Sequence, residues 1–147
     1  MLRMKKTYLI CAVALVAALA ALGPNLSAAD DALYRALGGK GGVAALVDEF
    51  IEIIADDIRV APTFADTDIA HFRMKLIEQL CALSRGPCEY TGDQMHLVHK
   101  GLNITERQFN AVVEDLQEAM ARLRLPEPAQ NRLLARLAPL RGQIIYR

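Results

Sequence analysis

The 147-residue chain has no tryptophan, three cysteines and a formal net charge of zero. Seventeen Lys and Arg against seventeen Asp and Glu give no strongly basic face, so nucleic-acid binding is not expected. Three cysteines are too few for a disulfide-built scaffold. No segment alternates apolar and polar residues with period two, and no repeat or low-complexity linker divides the chain. A Gly-rich strand-to-helix loop, Cys-x-x-Cys and His-Glu-x-x-His are all missing, which removes a phosphate cradle, a dithiol site and a zinc-protease helix. No histidine is singled out as the base a serine nucleophile needs. Disorder is excluded too, because 53% of the residues are apolar. The length suits one domain.

What is present falls into two unlike parts. Arg3, Lys5 and Lys6 precede a 15-residue apolar run from Tyr8 to Leu22; Gly23-Pro24 ends it, and Ser27-Ala28-Ala29 offers small residues for cleavage after Ala29. These are the parts of a secretory signal peptide. The run is shorter than the roughly 20 residues that span a bilayer, and Cys11 sits inside it rather than at a lipoprotein exit. The expected organisation is a signal peptide over 1–29 and one domain over 30–147, exported to the periplasm or secreted. An uncleaved N-terminal anchor is the alternative. Residues 30–147 carry 14 basic and 17 acidic side chains, a net charge of −3. They keep Cys81 and Cys88, which either close a short loop in an oxidising compartment or stand as two thiols.

The domain reads as all-α. Leu33, Tyr34 and Leu37 form a short amphipathic turn ending at Gly38-Gly39. Val43, Leu46, Val47, Phe50, Ile51 and Ile54 give a helix from about Gly42 to Asp57. After the Pro62 interruption, Asp68 can cap a helix striped by Ile69, Phe72, Leu76, Ile77, Leu80 and Leu83. Residues 84–92, with Gly86-Pro87, are a loop, and a short helix over 94–100 carries His96 and His99. Thr105 and Gln108 have capping-box spacing ahead of the stripe Phe109, Val112, Val113, Leu116, Met120 and Leu123. Pro126 opens the last helix, with Leu133, Leu134, Leu137 and Leu140 inward and Pro139 bending its end.

His71, His96 and His99 are the residues with metal-ligand chemistry, and no Cys, Asp or Glu nearby completes a zinc set. A long apolar helix, a loop, a histidine on a short helix and a second apolar helix can instead wall a flat hydrophobic cofactor. Haem iron is commonly held in this way by one axial imidazole.

The domain resembles the group I truncated haemoglobins, shortened globins folded two helices over two. The likeness runs from about Leu33 to Ile145 through Leu37-Gly38-Gly39, Val47-Asp48-Glu49-Phe50, Ile54-Ala55-Asp56-Asp57, Phe64-Ala65-Asp66-Thr67-Asp68 and Tyr90-Thr91-Gly92. It continues through Met95-His96-Leu97-Val98-His99-Lys100, Ile104-Thr105, Leu125-Pro126 and Leu137-Ala138-Pro139-Leu140. The resemblance implies haem b with His99 as the proximal iron ligand. It puts Phe64 against the haem at the corner before the distal helix and Phe50 as the buttress of the pocket. Phe72 and Leu76 fall at the two ligand-facing distal positions, Phe109 and Leu116 among haem-lining or core positions, and Arg73 and Lys75 where relatives often hold propionates.

The departures carry a prediction. Relatives often have a distal tyrosine where this chain has Ile51, and a glutamine where it has Leu76. A charge-assisted hydrogen bond to the bound gas is worth about 1.5–3 kcal/mol, so dioxygen is expected to leave faster than from a tyrosine-bearing relative, with carbon monoxide and nitric oxide less affected. The usual glycine pair after the distal helix is replaced by Ser84-Arg85-Gly86. The expected function is reversible binding of a diatomic gas (dioxygen, nitric oxide or carbon monoxide), at family level dioxygen binding and transport, by a monomer and not an enzyme. Nitric-oxide dioxygenation with a reductase is the enzyme-class alternative. A six-coordinate haem sensor or redox module using Lys75 or His71 is another, and a haem-free helical interaction protein is the last.

Overall fold

The computed structural model describes residues 31–147, so residues 1–29, read as a signal peptide, lie outside the described residues. The elements are α1 (Ala32–Ala36), α2 (Gly39–Asp56), a 3₁₀ turn (Ala61–Phe64), α3 (Ile69–Leu83), α4 (Met95–Val98), α5 (Glu106–Arg122), α6 (Glu127–Leu137) and a second 3₁₀ turn (Ala138–Gln143). The described residues contain no strand, as the absence of period-two patterning predicts. No helix among them is long and apolar enough to cross a membrane.

Local chemistry sets the boundaries. The Asp68 carboxylate accepts from the His71 N–H at 3.0 Å and starts α3. At α5 the Gln108 N–H donates to Thr105 Oγ1 at 3.2 Å, while Gln108 Oε1 accepts from the Thr105 N–H at 3.0 Å. Such caps satisfy amides that have no partner inside the helix and contribute about 1 kcal/mol each. α2 starts three residues before the expected Gly42. Gly38 turns the corner at φ +90°, and a Cβ on Gly42 would lie 1.9 Å from the Leu37 carbonyl oxygen. Only glycine allows α1 to approach so closely while the helix continues.

α2 is the central element, packed most extensively on α5 and α3, while α6 touches α1 and α3. Its Val43, Leu46 and Val47 are fully buried with Leu80 of α3, Ala119 and Met120 of α5 and Leu133 of α6. The small Ala111 and Ala119 on α5, both buried, let α2 come close. Each large aliphatic side chain sealed here contributes about 1.5–3 kcal/mol.

Candidate functional site

α3, α4 and the first 3₁₀ turn border the core on the side where the sequence places the site. Phe64 closes the 3₁₀ turn, and Phe72 lies one turn into α3; their rings are 5.1 Å apart and inclined at 57°, a favourable tilted aromatic pair. Phe64, Phe72, Leu76 and Ile51 are only partly buried, and pack on the edge of the core cluster. Phe50 and Leu116 lie within it. Phe109 stands apart, half-buried beneath the Arg141 guanidinium, which lies 5.9 Å from its ring centre. The structure thus brings Phe64 and Phe72 together; Ile51 and Leu76 also pack on the core cluster, and Phe50 and Leu116 belong to it.

His99 terminates α4 and is half-buried. Its Nδ1 lies 2.8 Å from the Met95 carbonyl oxygen. A carbonyl only accepts, so Nδ1 is the donor, which leaves Nε2 as the nitrogen able to bind a metal. A hydrogen bond of this kind orients a metal-binding imidazole and raises its basicity. The acceptor follows from the sequence, because Met95 stands four residues before His99 on one helical turn. Val98 and Leu102 flank His99 and are 48% and 51% exposed, which leaves apolar surface beside the imidazole. His96 is exposed on the same short helix, and His71 is exposed in the first turn of α3.

The cations of α3 close on carboxylates of the chain. Arg73 Nε and Nη2 bind the two Asp48 oxygens at 2.5 and 2.8 Å, and this guanidinium holds the Asp48 carboxyl below its ordinary range. Lys75 Nζ donates to Glu78 at 3.1 Å and to Thr91 Oγ1 at 2.5 Å. The Thr91 amide and hydroxyl also donate to Glu78, at 3.1 and 2.8 Å. Thr91 first, and then Lys75, hold the Glu78 carboxyl below the usual range. The loop that supplies Thr91 is fixed by a Cys81–Cys88 disulfide, so the two cysteines close the short loop. Gly86 fits there because a Cβ would lie 2.6 Å from both Cys81 Sγ and the Tyr34 ring.

Sequence reading missed a second cluster, at the C-terminal end of α2. Asp115 of α5 is 4% exposed and its Oδ2 has no partner. It borders a cavity of about 340 Å³ that also holds Glu52, Asp57, Arg59 and Arg122. Burial, and next the Asp57 charge, push the Asp115 carboxyl up to about 6. Hydrogen bonds from the Arg59 side chain and then its backbone hold Asp57 down to about 2. The available signal was Asp115 directly before Leu116 and three residues after Val112, beside the apolar stripe.

The donor set and surroundings fit a haem. One imidazole offers Nε2, apolar side chains flank it, and no three His, Cys, Asp or Glu side chains among the described residues gather into a metal cage. Comparison with known proteins agrees. A family profile described as "Bacterial-like globin" matches residues 32–146. The group 1 truncated hemoglobin GlbN of Nostoc sp. (strain MUN 8820) is 35% identical over 113 residues, covering 77% of this chain and 96% of the relative. That of Nostoc commune is 34% identical over the same shares. The crystal structure of truncated hemoglobin from Tetrahymena pyriformis, Fe(III) form, superposes with a TM-score of 0.76 at 28% identity, covering 78% of this chain and 98% of that one. The all-α fold expected from the sequence is therefore that of solved truncated hemoglobins, and the chain belongs to the bacterial-like globin family, among the group 1 truncated hemoglobins.

Proposed function

We propose that this globin, which binds haem and a gaseous ligand as its family does, holds the iron through His99 in an exported domain. The observation that carries the assignment is the His99 Nδ1 bond to the Met95 carbonyl at 2.8 Å, which fixes the tautomer an iron ligand needs. Held there, haem would supply the iron that binds dioxygen, nitric oxide or carbon monoxide. The chain does the rest. Phe64, Phe72 and Leu76 would exclude water from the distal side, with Phe50 and Leu116 in the core they pack on and Phe109 apart from them under Arg141. Ile51, Phe72 and Leu76 offer the gas no hydrogen-bond donor, so retention rests on apolar enclosure and on the iron. Arg73 and Lys75, now paired with Asp48 and Glu78, are the cations that would hold the haem propionates.

Export is the reading that suits the remaining features. Residues 1–29 have signal-peptide composition, and the Cys81–Cys88 disulfide belongs in an oxidising compartment. Absorption spectra of the purified chain with added haem test the site. The expected result is one haem per chain and a sharp ferrous carbon monoxide band; failure to retain stoichiometric haem contradicts the reading.

A further inference from the structure

α4 is a single turn of four residues, and its packing within the fold is mainly against the Ala138–Gln143 turn. One isolated turn of helix has no stability of its own in water, so the direction of the His99 ring is set by what holds the segment at its ends. The chain leaves His99 through a loop in which Gly101 has φ +84° and Asn103 has φ +48°. Glycine and asparagine tolerate these values but also adopt many others. The loop therefore has no intrinsic preference for this one shape.

Residues 144–147 supply the constraint. A main-chain oxygen of Arg147 accepts from the Gly101 N–H at 2.9 Å and from the Asn103 N–H at 3.1 Å, and the Tyr146 N–H donates to the Ile104 carbonyl at 2.9 Å. These bonds bracket the loop two to five residues after His99. The segment is also closed on itself. Arg147 Nε donates to the Gly142 carbonyl at 3.0 Å, with Nη2 on the same oxygen, and Gly142 belongs to the turn that packs on α4. Tyr146 stands at φ +53°, a conformation a non-glycine residue keeps only where its surroundings over-determine it.

We infer that residues 144–147 form a strap that positions the His99 imidazole, with the Arg147 main chain clamping the loop after His99 and the Arg147 side chain locking the strap to the turn beneath α4. His99 is then held from both sides, by the Met95 carbonyl before it and by the strapped loop after it. Arg147 and Tyr146 are positioning residues and touch no reacting atom. The inference rests on the reading of His99 as the iron ligand.

The test compares the full chain, a variant ending at Ile145 and Arg147→Ala, each with and without haem. Amide hydrogen exchange is read at Gly101 and Asn103, the iron–histidine stretching band by resonance Raman, and haem loss by transfer to an acceptor globin. The intact chain is expected to protect both amides. Ending the chain at Ile145 should speed their exchange by about tenfold or more, shift or broaden the iron–histidine band and speed haem loss several-fold. Arg147→Ala keeps the main-chain acceptor and should fall between the two; it carries the test if the shorter chain loses helix content. Unprotected Gly101 and Asn103 amides in the intact chain overturn the strap. So does an unchanged band and haem-loss rate in a variant whose two amides exchange freely. Should the intact chain take up no haem, the His99 reading fails separately, and amide exchange in the haem-free chain still decides the strap.

Discussion

The seam between α2 and α5 and the border made by α3 and α4 use similar residues to opposite ends. Leu46, Val47, Ala119 and Met120 at the seam are sealed completely. At the border Phe64, Phe72 and Leu76 stay half-buried, and Leu97, Val98 and Leu102 around His99 are about half exposed. Protein atoms complete the first surface. The second is apolar and unfinished, as expected of a surface shaped for a flat non-protein partner. A core and a cofactor wall can therefore share a composition and differ in what satisfies them.

The largest expected loss of stability lies at the seam. Leu46→Ala should cost about 2–5 kcal/mol of unfolding free energy by a similar amount with or without haem, as read by denaturant melts of both forms. Across the border, the disulfide loop comes next. Cys88→Ser opens a short loop and should lower stability by about 2.5 kcal/mol, with increased exchange at the Thr91 amide that Glu78 now holds. A loss that is equal with reductant present and absent would contradict this.

Ile51→Tyr sharpens the contrast from the pocket side. It adds a hydroxyl where the distal wall has none, and a bond worth about 1.5–3 kcal/mol should slow dioxygen release by roughly 10- to 100-fold. Stopped-flow displacement by carbon monoxide measures this, and carbon monoxide release itself should change far less.

Asp115 is the seam's polar exception. Its carboxyl is raised to about 6, chiefly by burial, so between about pH 4 and 6 the folded chain holds a proton that the unfolded chain has released. Its contribution to stability is present below about pH 4 and is lost as pH rises through 6. Asp57, held down to about 2 by Arg59, has the opposite sense: its contribution is present above about pH 4 and is lost as pH falls toward 2. Asp115→Asn should raise stability above pH 6 by about 1–3 kcal/mol and leave it nearly unchanged at pH 4, as measured by urea melts at both values. The smallest expected effect is that of Leu76→Ala on the haem-free chain, under about 1 kcal/mol because its site is only partly closed. The same variant should release haem measurably faster.

The helices and their caps were legible in the sequence because they depend on near neighbours. Asp68 reaches an amide three residues on, the Thr105–Gln108 box closes within one turn, and the stripes follow helical spacing. Three early residues of α2 were missed because glycines read as a break unless the approach of Leu37 is known. The proximal and pocket residues came from a family likeness, whereas the Met95 partner of His99 is local. Contacts between distant residues were not legible: Arg73 with Asp48, Asp115 with Asp57, and the Arg147 main chain with Gly101 and Asn103. Nor could spacing decide between a Cys81–Cys88 bond and two thiols, since that depends on how the loop returns to α3.

On the proposed reading, a haem held on His99, and on no other histidine, completes the open border. Haem titration of His99→Ala beside His96→Ala tests it most directly. The account predicts that His96→Ala binds one haem with the spectrum of the unaltered chain, while His99→Ala loses the proximally ligated ferrous spectrum and retains haem poorly. Unchanged haem retention and spectrum in His99→Ala, or their loss in His96→Ala alone, would contradict it.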